Sequence, residues 1–201
     1  MLFTKVLEEK HSKFNKNIKV IKSLGLGTYI QVNGLTQSGG VVESIWKYSF
    51  KKLKTKNVKN ILILGLGGGT VAKLLRKKYP DSKIIGVEID QIMIELGRKY
   101  LELGKYSVET IIQDAYDFYK GKYDLVVVDI YCGDKYPEKF ESKVFFNNIK
   151  KLLSKNGVVI FNRLFYKNNR GKSLLFFNKL KKYFKEVNKY YPQANIMFFC
   201  R

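Results

Sequence analysis

The sequence predicts an α/β fold: a doubly wound, Rossmann-like sheet of seven mostly parallel strands, with a C-terminal antiparallel hairpin and a small N-terminal β-hairpin appendage. Two observations predict it. From residue 60 onward, short apolar runs alternate with helical stretches, and the first run leads through a glycine loop into a helix. Parallel strands joined by crossover helices produce this alternation. We divide the chain into an N-terminal part, residues 1–56, and a Rossmann-like domain, residues 57–201.

The N-terminal part has a different pattern. Weakly alternating stretches at 16–23 and 28–32 are joined through Gly25 and Gly27, which predicts a hairpin. An amphipathic stretch at 42–53 then predicts a helix that leads into the sheet.

The domain that follows is predicted to hold five parallel strands and a terminal hairpin. The strands are expected at 61–64, 83–88, 107–112, 123–129 and 157–162, and the helices at 70–79, 91–101, 142–153 and 172–183, with a short one near Tyr116. The first and fourth strands are almost wholly apolar, as central strands covered on both faces are. Pro192 separates a last pair, 184–191 and 195–200, which is short enough to form the hairpin at the sheet edge.

Composition excludes several classes of protein. Hydrophobic residues make up 45% of the 201, which is enough for one sizeable core. Two distant cysteines and the single histidine, His11, are too few for a zinc site, so we expect no metal. No apolar run reaches the roughly 20 residues of a membrane helix, and residues 1–10 do not have the pattern of a signal peptide. We therefore expect a cytoplasmic protein without membrane contact.

The net charge is the most unusual feature of the composition. The chain carries 38 Lys+Arg against 17 Asp+Glu, a formal charge of +21. A nucleic-acid partner is one explanation. It is disfavoured because only 5 of the basic residues are Arg, the side chain suited to forked phosphate contacts. A compositional bias of AT-rich coding explains the lysines better.

Candidate functional residues follow the ends of four consecutive strands. They are the glycines Gly65, Gly67 and Gly69, then Glu88, Asp114, Ala115 and Asp129. The ends of parallel strands meet at one edge of the sheet, where open α/β folds bind ligands. A carboxylate at Glu88 can accept hydrogen bonds from ribose hydroxyls, and one at Asp114 can accept a hydrogen bond from an adenine amino group. The set suits an adenosyl ligand, although a helix cap is an alternative role for Asp114.

These segments resemble a known family. ILILGLGGGT (61–70), VEID (87–90), QDA (113–115) and YDLVVVD (123–129) are similar to the class I S-adenosylmethionine-dependent methyltransferase fold, and within it to the polyamine aminopropyltransferases, the spermidine synthase family. YIQVNGLTQ (29–37) resembles that family's N-terminal hairpin.

The resemblance implies roles for individual residues. Gln37, Glu88 and Asp114 would hold the adenosyl group, and Asp129 would be the catalytic carboxylate that orients and deprotonates the amine. The expected lining of the substrate pocket is Tyr131, Asp134 and Trp46. No metal is implied.

The sequence departs from the family pattern at three places. Gly68 stands where the glycine loop usually carries an acidic residue for the aminopropyl ammonium. Trp46 and Lys47 stand where a Tyr-His pair is expected. Cys132 replaces a second acidic residue, for which Asp134 could substitute.

The implied function is transfer of an aminopropyl group from decarboxylated S-adenosylmethionine to a small cationic amine such as putrescine. One alternative is a methyltransferase that uses S-adenosylmethionine on a small molecule or RNA, which Gly68 favours. A second is a protein that binds an adenosyl ligand without turnover. A cationic ligand suits the charge distribution, because residues 88–141 hold 12 acidic and 7 basic side chains. In the family that the sequence resembles, the N-terminal hairpin often forms subunit contacts, so we expect a homodimer.

Overall fold

A computed structural model describes residues 3–201 and contains two β-sheets. The smaller sheet is formed by β1 (Thr4–Lys10), β2 (Ile18–Ser23), β3 (Gly27–Val32) and β4 (Leu35–Gly39). It is antiparallel, and its strands lie in chain order. The predicted N-terminal hairpin corresponds to β2 and β3. The segment 29–37, which resembles the family's hairpin, covers most of β3 and the start of β4. The prediction does not include β1, which is largely exposed.

The larger sheet is the predicted Rossmann-like one. Its strands are β5 (Asn60–Leu64), β6 (Lys83–Glu88), β7 (Val108–Ile112), β8 (Tyr123–Val128), β9 (Leu153–Leu164), β10 (Val187–Tyr190) and β11 (Asn195–Cys200). They lie side by side in the order β10-β11-β9-β8-β5-β6-β7. The strands β5 to β9 are parallel, and β10 and β11 form the predicted antiparallel hairpin. The strand order reverses between β5 and β8, which is where open α/β sheets form a ligand crevice.

Five α-helices accompany the sheets. They are α1 (Gly40–Lys52), α2 (Thr70–Lys78), α3 (Gln91–Tyr100), α4 (Lys143–Leu152) and α5 (Asn169–Leu180). The last helix starts and ends three residues before the predicted 172–183, and β9 is longer than predicted at both ends. The short helix near Tyr116 is a 3-10 turn over Ala115–Asp117. None of the helices within residues 3–201 is long and apolar enough to cross a bilayer.

Alternation along β5 explains why both faces of the large sheet are covered. Ile61 and Ile63 pack with residues of α1 and α2, whereas Leu62 and Leu64 pack with residues of α4 and α5. All four side chains are fully buried. The inner face of the small sheet, including Ile30, packs on α3. This contact holds β4 over the glycine loop that follows β5.

Candidate active site

A cavity of about 200 Å³ lies at the carboxyl edge of the large sheet, beneath β4. Eight of the eleven predicted site residues line it: Gln37, Gly65, Gly67, Glu88, Asp114, Ala115, Asp129 and Tyr131. The other three lie elsewhere. The structure thus brings together side chains from four strand ends and from the small sheet.

The glycine loop is shaped by close backbone contacts. Gly65 has a φ of +88°, and a Cβ there would lie 2.2 Å from the carbonyl oxygen of Asp129. Only glycine fits such a contact, so the loop packs directly on the chain that leaves β8. The N–H of Gly67 donates to Glu88 Oε2 at 2.7 Å, which ties the loop to the end of β6.

Backbone N–H groups fix the carboxylate of Glu88. In addition to the bond from Gly67, Oε1 accepts from the N–H of Ile89 at 2.9 Å and from the N–H of Asp90 at 3.0 Å. Burial raises the pKa of Glu88, although these three bonds oppose the shift. A carboxylate held in this way presents its remaining lone pairs to hydroxyl donors in the cavity.

Each carboxylate oxygen of Asp114 has its own partner in the structure. Its Oδ1 accepts from the N–H of Tyr116 at 2.9 Å and so caps the 3-10 turn. Its Oδ2 pairs with the ammonium of Lys139, and both side chains line the cavity. A ligand amino group at this end would share the carboxylate with Lys139.

Asp129 stands at the end of β8 and is half-buried. Its Oδ1 accepts from Asn162 Nδ2 at 2.7 Å, and its Oδ2 accepts from the indole Nε1 of Trp46 at 2.9 Å. Burial raises the pKa of Asp129 to about 6, and the two hydrogen bonds counteract part of this shift. A carboxylate with a pKa near 6 can accept a proton at neutral pH.

The structure places Trp46 differently from the prediction. Its side chain is fully buried and stacks on Phe50 with a centroid distance of 5.2 Å, and it lines neither this cavity nor the smaller one described next. Trp46 therefore contacts the carboxylate of Asp129 and is not part of the lining of either cavity.

Asp134 and Gly69 also lie outside the cavity. Asp134 borders a separate open groove on the far side of Tyr131. Gly69 is the N-cap of α2, with a φ of +92°, and packs against Leu103. Cys132, which stands where the family has an acid, lines the cavity, and its thiol donates to the carbonyl oxygen of Phe14.

A second, smaller cavity of about 130 Å³ adjoins the first. The two share Gln37, Val42, Asp129 and Tyr131 as lining residues. Asp129 therefore lies where the two cavities meet.

Sequence reasoning missed the polar partners of the site. Asn162 directly follows Phe161, which pairs with Val128 in the sheet, so Asn162 lies beside Asp129. The sequence signal for this position of Asn162 is a polar residue at the end of an apolar strand. Ser38 Oγ accepts from the N–H of Gly68 at 2.8 Å, a contact between the small sheet and the glycine loop that has no local signal.

Within residues 3–201, no group of three or more His, Cys, Asp or Glu side chains is placed to hold a metal ion.

Comparisons with known proteins identify the family. The family model described as the spermine/spermidine synthase domain matches residues 43–197, more than three quarters of the chain. The chain belongs to the spermine/spermidine synthase family. A polyamine aminopropyltransferase of Clostridium botulinum is 31% identical over 166 residues, which are 77% of this chain and 58% of that protein. A probable polyamine aminopropyl transferase of Bifidobacterium longum is 31% identical over 57% of this chain and 26% of that protein. The chain thus spans little more than half of the first relative's length, and less of the second's.

Solved structures agree on the fold of this family member. The spermidine synthase of Thermotoga maritima superposes with a TM-score of 0.80 at 20% identity, over 98% of this chain and 72% of that one. Human methyltransferase-like protein 13, solved with SAH, has a TM-score of 0.63 at 23% identity, over 71% of each chain. The architecture is therefore the methyltransferase-like one that the sequence predicts.

One departure from the family pattern has a clear structural setting. A Cβ at Gly68 would lie 2.8 Å from Ile30 Cδ1, 2.9 Å from Leu101 Cδ1 and 3.0 Å from Ser38 Cβ. A side chain at position 68 would therefore point into the packing between the small sheet and α3. In the loop as folded, a side chain at position 68 would require the side chains of Ile30 and Leu101 to shift.

Proposed function

We propose that the chain is a transferase that moves the aminopropyl group of decarboxylated S-adenosylmethionine to the nitrogen of a small amine. The amine lone pair attacks the methylene carbon bonded to sulfur, the C–S bond breaks, and its electron pair leaves with sulfur as the neutral thioether. The attacking nitrogen loses a proton. Such a displacement needs positioning and a base, and no covalent enzyme intermediate.

The position of Asp129 carries the proposal. It is a half-buried carboxylate at the junction of two cavities, and both of its oxygens are held by N–H donors. An amine in the smaller cavity can donate its proton to Asp129 while its nitrogen faces the larger one. With a pKa of about 6, Asp129 is ionised at neutral pH and also attracts a cationic amine.

The larger cavity is the proposed donor site. Glu88 would accept the ribose hydroxyls, Asp114 the adenine amino group, and Gln37 would lie over the ligand. Gln37 is held in place by donating from Nε2 to the carbonyl oxygen of Gly133 at 3.0 Å. The names of the relatives support this assignment, and so does a fold neighbour described as a spermidine synthase in complex with the transition-state analogue AdoDATO, which superposes with a TM-score of 0.75.

A methyltransferase is the second candidate, and the setting of Gly68 favours it. The carboxylates that line the donor cavity are Glu88, Asp114 and Asp129. The first is bound by backbone N–H groups and the second by Lys139, so Asp129 alone is left for the ammonium of an aminopropyl group. Ordinary S-adenosylmethionine carries an α-carboxylate that balances its own ammonium, so it needs less charge compensation from the residues of the site.

Comparing donors separates the two candidates. Calorimetry with S-adenosylmethionine, its decarboxylated form and methylthioadenosine ranks the ligands, and mass spectrometry of an amine incubated with each donor identifies the transferred group. We expect tighter binding of the decarboxylated form and a mass increase of one aminopropyl group. Binding of the carboxylated form alone, with methyl transfer, would replace the proposal with the second candidate.

Two variants test the site itself. Glu88→Gln should weaken binding of all three adenosyl ligands. Asp129→Asn should keep donor binding and abolish transfer, and unchanged transfer would remove Asp129 from the mechanism.

A further inference from the structure

The end of the larger cavity that lies at β7 holds a cation as well as a carboxylate. Asp114 follows β7, and Lys139 lies in the 3-10 turn Glu138–Glu141. Both side chains line the cavity, and Lys139 is the single Lys or Arg among its lining residues, all of which belong to the described part of the chain. The proposed transfer assigns no role to this ammonium.

Strand spacing places the base of an adenosyl ligand beside the Asp114–Lys139 pair. The ends of β8, β5, β6 and β7, which lie side by side in this order, are followed by Asp129, Gly65, Glu88 and Asp114. Neighbouring strands lie about 4.8 Å apart, so the end of β7 lies roughly 14 Å from the end of β8. A ligand whose reacting carbon meets Asp129 and whose ribose meets Glu88 therefore extends its adenine toward this pair.

Three contacts hold the ammonium of Lys139 in place. It pairs with Oδ2 of Asp114, and it lies over the rings of Tyr116, at 5.4 Å from the centroid, and of Phe140, at 5.2 Å. The negative faces of the two rings attract the cation. An ammonium has three N–H donors, so the bond to Asp114 leaves two of them for a ligand.

The pair presents a hydrogen-bond acceptor and a hydrogen-bond donor side by side. Adenine carries its 6-amino group, a donor, between two ring nitrogens, N1 and N7, which are acceptors. A carboxamide reads the amino group and N7 because it offers an acceptor and a donor together. Asp114 and Lys139 offer the same pattern from two side chains, since each carboxylate oxygen has two lone pairs and Oδ2 can accept from the ammonium and from the amino group.

We infer that Lys139 binds the donor substrate directly, by donating to a ring nitrogen beside the 6-amino group of adenine while Asp114 accepts from that amino group. The site then reads two adjacent atoms of the base. This inference rests on the proposed function, since it adds a contact to the adenosyl ligand of that site.

Ligands that lack one ring nitrogen test the inference on the parent chain. Calorimetry compares methylthioadenosine with its 1-deaza and 7-deaza analogues, in which a C–H group replaces N1 or N7. All three ligands are uncharged, so the net charge of the cavity does not bias the comparison. We expect one of the two analogues to bind about tenfold more weakly than methylthioadenosine, as the loss of a hydrogen bond from a charged donor predicts.

The possible failures are distinguishable. Equal binding of all three ligands would overturn the inference and leave the donor site standing. If neither methylthioadenosine nor decarboxylated S-adenosylmethionine binds, the proposed function is overturned, and this inference with it.

Removing the ammonium assigns the lost contact to Lys139. Lys139→Met keeps the apolar stem and removes the N–H donors, so methylthioadenosine should bind about tenfold more weakly and the sensitive analogue should bind as before. Lys135→Met is the matched control, because it removes the same charge at an exposed residue that lines the open groove and not the donor cavity. It should leave both affinities unchanged.

Two results with the Lys139→Met variant would overturn the inference. Tighter binding of methylthioadenosine would mean that the lysine competes with the ligand for Asp114. A deaza analogue that still binds more weakly than methylthioadenosine in this variant would assign the ring nitrogen to another donor.

Discussion

Replacing Asp129 with Asn should change how the stability of the fold depends on pH. Burial raises the pKa of Asp129 from the ordinary 3.8 to about 6, so the folded state holds a proton that the unfolded chain has already released. Between these two values the folded state binds more protons than the unfolded state. The free energy of unfolding therefore falls as the pH rises through this window.

The size of the effect follows from the shift. A displacement of about two pKa units, at about 1.4 kcal/mol each, corresponds to about 3 kcal/mol of stability that is present below pH 4 and lost above pH 6. The asparagine variant does not titrate, so this part of the pH dependence disappears. Its own hydrogen bonds change the stability by an amount that does not vary with pH, since Trp46 and Asn162 do not ionise in this range.

Urea denaturation at pH 4, 5, 6 and 7 measures the difference between the two proteins. We expect the variant to gain on the parent chain by about 2 kcal/mol between pH 4 and pH 7, since the unfolded Asp129 is already partly ionised at pH 4. A difference that stays constant over this range would refute the half-buried, hydrogen-bonded environment of Asp129.

The other end of β8 provides a control of opposite sign. Asp124 accepts hydrogen bonds from the N–H groups of Lys59 and Asn60 and from Ser154 Oγ. Although partial burial raises the pKa of Asp124, these bonds outweigh it and hold the pKa below its usual value. The ionised carboxylate of Asp124 therefore stabilises the parent chain, and this contribution is lost as the pH falls. Because the Asp124→Asn variant lacks it, the free energy of unfolding of the variant should fall relative to that of the parent as the pH rises from 3 to 5.

Three further substitutions test separate contacts. Trp46→Phe removes a donor that lowers the pKa of Asp129, so the acidic limb of the kcat/KM profile should move to higher pH by roughly half a unit to one unit. An acidic limb that does not move would show that Trp46 does not influence the ionisation of Asp129. Glu88→Gln places amide hydrogens against backbone N–H donors and should weaken adenosyl binding, measured by calorimetry, by at least about tenfold. Gly97→Ala puts a Cβ 2.7 Å from a backbone oxygen of the glycine loop and should cost about 1–3 kcal/mol in urea denaturation. Gly104→Ala, with nothing within 4 Å, is its control and should be nearly neutral.

The acidic stretch at 88–141 shows what the number of charged residues in a segment can predict about the site. It predicts a cleft suited to cations, and Glu88, Asp114 and Asp129 do line the larger cavity. It does not predict that Lys139 would pair with Asp114, since these residues lie 25 positions apart, on opposite sides of β8 in the sequence. The net charge of a segment thus predicts the sign of the charge at the site, but it does not predict which partner each carboxylate has.

The Rossmann-like sheet, and the common edge at which Glu88 and Asp129 lie, can be predicted from the order of residues alone. This is possible because the period of apolar residues records which faces are buried, and parallel strands place their carboxyl ends together. Which side chains meet at that edge depends on the packing of the whole fold. Trp46 and Asn162 reach Asp129 across 83 and 33 residues of chain, and Asp134, five positions from Asp129, lies in another groove. Contacts of this kind depend on how distant segments pack and on where each side chain then finds its hydrogen-bond partner, and no local pattern encodes either.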